Sequence, residues 1–148
     1  MSDGRRLVVE LEDLERWAEQ LAQHSHTDPD WRSRRAYVEA HRDAQAESYR
    51  LAIWEVEGAE SAFADAAARF AHLRALLEEV SGSDRGRVAA ALRGELAWAE
   101  AEQEEARASG DSGLDPEELH AKGRVTALAA IGAELRTLVA VADSEGST

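Results

Sequence analysis

From Tyr49 to Val80 apolar side chains return in alternating steps of three and four: Tyr49, Ala52, Val56, Ala59, Phe63, Ala66, Phe70, Leu73, Leu77 and Val80. This is a heptad, the signature of an amphipathic helix whose seam packs on another helix. Traced backwards, the seam reaches Val38 and Trp31, but Arg35, Arg42 and Gln45 interrupt it. The stretch from Asp28 to Ser81 holds a single glycine, Gly58, and no proline after Pro29. It predicts one long helix over 28–81. Asp28 is placed to cap it, Pro29 suits the first helical position, and Asp30 favours the positive end of the helix dipole. Gly58 is the expected place for a kink, although one glycine costs a helix only about 1 kcal/mol and forces no break.

The same spacing predicts three more helices. Leu7, Leu11, Leu14, Ala18 and Leu21, widened by Trp17, mark a first helix over about 9–23, followed by a link at 24–28. Val88, Leu92, Leu96 and Ala99, with Trp98 beside them, mark a third over about 85–108. Its far end carries Glu100, Glu102, Glu104 and Glu105, acidic residues that oppose the helix dipole. That end is expected to fray or to meet the arginines near the start of the long helix. After the loop 109–113, Asp115-Pro116-Glu117-Glu118 is a capping box. It opens a fourth helix whose face is Ala121, Val125, Leu128, Ile131, Leu135, Leu138 and Ala142.

The expected fold is all-α: a four-helix arrangement with one long heptad-patterned helix. Residues 1–142 form a single domain and 143–148 a disordered tail. Helices three and four are expected to form a hairpin against the later half of the long helix, with helix one over its early half. That leaves each half short of a full bundle, and homodimerisation completes it. The competing solution breaks the long helix near Gly58 and closes a compact monomer.

Composition narrows the functional classes. Acidic residues number 30 against 17 basic ones, giving a net charge of −13 at pH 7. Such a chain repels phosphate backbones, and its one basic patch, Arg32, Arg34, Arg35 and Arg42 near His41, is small. Nucleic acid is therefore not an expected partner. The absence of cysteine removes disulfides, thiol nucleophiles and thiolate metal sites. The apolar run near the N-terminus is only Leu7-Val8-Val9, and no segment reads as a membrane span, so a cytoplasmic location and no membrane contact are expected.

Chemistry-bearing constellations are sparse. Glu117 and His120 have the E-x-x-H spacing of carboxylate-bridged di-metal bundles, but no second such pair accompanies them. His24-Ser25-His26 with Asp28 has competent metal ligands on one loop only. His72 is expected to face outward. Ser48, Ser61 and Ser109 lie in no nucleophile elbow, phosphate-binding glycine loops are absent, and Glu57/Glu60 share a helix face as ordinary surface carboxylates do. No catalytic residue, cofactor or metal site is assigned, and an enzyme is the less favoured reading. Aromatic residues are more informative. Trp31, Tyr49, Trp54 and Trp98 are candidate partner-binding residues, because Trp and Tyr give large contacts with few torsions to freeze. The function expected from sequence is a non-enzymatic, self-associating helical scaffold or adaptor that binds another protein. The alternative is a small-molecule or metal-binding helical bundle, with or without catalytic activity.

Overall fold

The computed structural model describes residues 3–79, 85–109 and 115–146, and every element among them is a helix. The elements are α1 (Asp3–Ala22), α2 (His24–Thr27), α3 (Pro29–Ala40), α4 (Ala44–Glu79), α5 (Arg85–Ser109) and α6 (Pro116–Gly146). The all-helical expectation holds. The predicted loop over 109–113 lies, after Ser109, outside the described residues, as does Val80 at the end of the seam.

The long helix differs from its prediction in one important respect. It is interrupted at residues 41–43, not at Gly58. His41 adopts an extended backbone (φ −130°, ψ 157°) that ends α3. Asp43 then restarts the helix: its carboxylate accepts the Ala46 N–H at 2.9 Å, and its carbonyl accepts the Glu47 N–H. The interruption falls where Arg42 and Gln45 had already spoiled the seam, so little apolar burial holds the chain helical there. Beyond it α4 runs unbroken for 36 residues, about 54 Å at 1.5 Å per residue.

That interruption is also the reversal of the chain. Glu15 meets Arg74, Ser25 meets Glu60, and Tyr37 meets Tyr49. Thus α1, α2 and α3 run as one bent line antiparallel to the whole of α4. The expected order is exchanged as a result: α1 covers the later half of α4, and α2–α3 cover its early half. The segment 24–28, expected to be a simple link, contains the single turn α2 instead.

A polar clasp fixes this bend. Ser25 is fully buried and gives both its N–H and its hydroxyl to the carboxylate of Glu60, at 2.7 and 2.8 Å. Arg35 donates to the Ser25 Oγ at 2.8 Å and to Glu57 at 3.2 Å. Glu60 is only 6% exposed, so these bonds replace the water it has lost. The Arg35 Nε is buried without a partner, which offsets part of the gain. Replacing Glu60 with glutamine puts an amide donor against the Ser25 donors. The expected cost is about 1.5–3 kcal/mol, read as a lower urea midpoint and faster amide exchange in α2 and α3.

Two glycines set the packing of α4 on α6. A Cβ added at Gly58 lies 1.9 Å from the backbone oxygen of His120, and one added at Gly123 lies 1.8 Å from that of Glu55. The two backbones therefore touch. Small residues follow at four-residue spacing, Ala62 and Ala66 after Gly58 and Ala127 after Gly123, all of them buried. The pair is parallel: His120 lies at Gly58, and Arg124 reaches Ser61 and Asp65 one turn further on. Helix α5 returns antiparallel to α6, as Arg93–Asp143 and Glu102–Arg124 show. Helix α1 packs mainly on α4 and α5 mainly on α6, while α1 meets α6, and α5 meets α4, only lightly.

One core runs through all four long helices. Leu11, Phe70, Leu92, Leu128, Ile131 and Leu135 are its most deeply buried large side chains. The later half of the seam, Phe63, Ala66, Phe70 and Leu73, is covered within one chain, with Trp17 packed edge-on to Phe63 at 5.2 Å. It needs no second copy to be shielded from water. Tyr49, Ala52 and Val56, in the early half, stay half-buried. The acidic end of α5 meets Arg124 and Arg136 of α6, not the arginines of α3. Helix α6 corrects the reading that no segment reaches membrane-spanning length. Its stretch Pro116–Asp143 includes an 18-residue window with mean hydropathy 1.6, long and apolar enough by length and composition. Much of that apolarity is alanine, and Leu128, Ile131, Leu135 and Leu138 from it are spent on the core.

A candidate protein-binding arm

Where α1 and α6 stop covering α4, the hairpin of α3 with the first ten residues of α4 stands alone. No residue of α3 is buried. In the facing part of α4, only Ala46 and Ile53 are. The helix itself is well started: Asp28 accepts the N–H groups of Asp30 and Trp31, and Pro29 occupies the first turn. The arm is thus a pair of capped helices with half-covered faces.

Its side chains form one continuous stack. The Arg34 guanidinium lies 4.8 Å from the Trp31 ring centroid and 5.7 Å from that of Tyr49. Tyr37 packs edge-on to Tyr49 at 5.5 Å and stacks on His41 at 4.0 Å. The Tyr37 hydroxyl donates to Asp43 at 2.7 Å, tying the stack to the helix restart.

The charge of the chain is divided between arm and body. Residues 28–50 hold five acidic and five basic side chains. The other positions hold 25 acidic and 12 basic ones, so the whole −13 resides outside the arm. An acidic protein surface is therefore not repelled by the arm's own net charge.

The Tyr37–Asp43 bond gives the arm a working pH range. Asp43 is held below its ordinary 3.8, first by the Tyr37 hydroxyl and then by the Ala46 N–H. Tyr37 is held above its ordinary 10.0, chiefly by donating to Asp43. A lowered carboxylate supports the fold above its unfolded value and loses that support as pH falls through the folded one; a raised phenol does so below its unfolded value and loses it as pH rises. The junction should therefore hold between about pH 4 and 10 and loosen outside that window. A tyrosine titration followed by ultraviolet absorbance should show Tyr37 ionising late. Asp43→Asn should move that ionisation back towards its ordinary range.

Of the four aromatics singled out from sequence, the structure brings Trp31 and Tyr49 together around Arg34. Trp54 sits further along α4, beside a groove of about 330 Å³ shared with Glu57, Pro116, Glu117 and His120. Trp98 lies on α5 with its face 4.3 Å from the Arg69 guanidinium, packed against the core. The sequence shows the arginines, His41 and Tyr37, but does not by itself set Tyr37 among the partner-binding candidates. The spacing Trp31, Arg34, Tyr37 already placed these residues along one helix face; that Tyr49 faces them depends on the reversal at 41–43.

The other candidates find ordinary partners or remain apart. Glu117 and His120 share the Trp54 groove, yet no three His, Asp or Glu side chains among the described residues converge as a metal site. Ser25 is turned inward to Glu60, away from the exposed His26. Ser61 accepts from Arg124, and His72 is exposed as expected. Compared with known proteins, the chain matches no family model, no curated protein and no solved structure.

Proposed function

We propose that this chain is a non-enzymatic, self-associating helical scaffold or adaptor. The α3–α4 arm is its surface for protein partners, a second copy of the chain among them. The observation that carries this reading is the half-covered Trp31–Arg34–Tyr37–Tyr49 stack on a charge-balanced segment of an acidic molecule. Trp, Tyr and Arg are the residues that dominate binding energy at protein interfaces. Two arms side by side supply four helices, enough to bury faces that one hairpin leaves half wet. The acidic bodies are then held apart while the neutral arms meet.

Sedimentation velocity over a range of concentrations tests it. The wild-type chain is expected to reach a mass near twice 16.1 kDa. Trp31→Ala and Arg34→Ala should each weaken the association by about thirtyfold, the size of a hot-spot loss, with helicity unchanged. A monomer at every concentration, or a dimer indifferent to both substitutions, contradicts the reading.

A further inference from the structure

Because α1 and α6 both lie against α4 and touch each other only lightly, an open groove of about 360 Å³ runs between them. From α1 it is lined by Glu10, Asp13, Leu14 and Trp17, and from α6 by Glu134, Thr137 and Leu138. The floor is apolar: Leu14 and Leu138 are buried, and Trp17 is anchored edge-on to Phe63. The rim is of one sign. Every ionisable residue lining the groove is a carboxylate. Glu134 has no ion-pair partner among the described residues, and Asp13 shares only an exposed pair with Arg16 at 3.5 Å. One turn before Asp13 stands Val9, at 47% the one exposed large hydrophobic among the described residues.

We propose that this groove binds an organic ammonium ion with a hydrophobic body. The body covers Leu14, Trp17 and Leu138 and displaces water from them. The ammonium group reaches the carboxylates at the rim, chiefly Glu134. The molecule's net charge of −13 concentrates cations near it and repels anions of the same shape. A bare metal ion is a poorer fit, because the carboxylates line two helices without converging. The volume lies within the roughly 300–1,000 Å³ common for small-molecule sites. The proposal is independent of the arm, which lies at the other end of α4.

The test is amide chemical-shift mapping with 4-phenylbutylammonium, and with 4-phenylbutyrate as the probe of opposite charge. The ammonium is expected to give saturable shifts confined to residues near 9–17 and 134–138, and the carboxylate none. Glu134→Gln should weaken binding about fivefold, and Glu134→Lys more, with the fold retained because Glu134 is exposed. Added salt should weaken it as well. Equal binding of the carboxylate, shifts centred elsewhere, or no saturation would overturn the assignment.

Discussion

Gly58→Ala is expected to destabilise the protein by about 1–3 kcal/mol, the usual cost of overpacking, even though alanine is the better helix former by about 1 kcal/mol. The reason is steric. The new methyl lies 1.9 Å from a backbone oxygen of α6, and a backbone cannot rotate away as a side chain can. The helices must separate, and the buried alanines that follow lose contact with them. Gly123→Ala meets the same obstacle from the other helix, at 1.8 Å from the Glu55 oxygen. The double substitution should cost less than the sum, because one displacement relieves both clashes. Gly94 is the contrasting case. It is exposed, and an added Cβ meets nothing within 4 Å. Gly94→Ala should therefore stabilise by about 0.5–1 kcal/mol. Gly132, whose nearest neighbours stand at 3.8 Å, should tolerate alanine. Thermal or urea denaturation of the four single variants reads these opposite signs directly. A neutral Gly58→Ala would mean that α4 and α6 do not cross in backbone contact.

Phe70→Asp is expected to unfold the chain outright. Phe70 is 1% exposed at the centre of the core. Removing a buried phenylalanine side chain alone costs about 3–5 kcal/mol, and a buried carboxylate without a partner adds several more. Together these approach the whole stability of a typical domain, about 5–15 kcal/mol. The manner of failure is informative. If the seam were an interface between copies, Phe70→Asp would leave a folded, helical monomer. Since Phe70 is covered by its own chain, the variant should instead lose helicity and cooperative melting at every concentration. Phe63→Asp should behave alike, because Phe63 is 8% exposed and packs against Trp17.

Periodicity alone made the helices legible. Most positions at alternating three and four steps end up buried in α1, in the later half of α4 and in α6, because a bundle core selects one face of each helix. The caps at Asp28 and Asp115 were legible too, since capping depends on neighbours in sequence. The reversal at 41–43 was missed. Its helix restart needs only Asp43, and His41-Arg42-Asp43 contains no glycine or proline to announce a turn. Gly58 was read through its local property, weak helix propensity, when its role is tertiary: it makes room for His120, 62 residues away. The pairing of Ser25 with Glu60 was hidden for the same reason, and Glu60 looked like one more surface carboxylate. The arginine patch and the aromatics were each visible. Their convergence around Arg34 depends on the hairpin that α3 and α4 make.

The central claim is that the seam from Phe63 to Leu73 is satisfied within one chain, while the arm is the surface left for partners. Amide hydrogen exchange on the wild-type protein at two concentrations, one on each side of the association midpoint, tests it most directly. The account predicts that residues 62–73 exchange only through global opening, at a rate independent of concentration, and that α3 and residues 44–53 become more protected as concentration rises. Protection that rises with concentration along 62–73 and stays constant in the arm would contradict it.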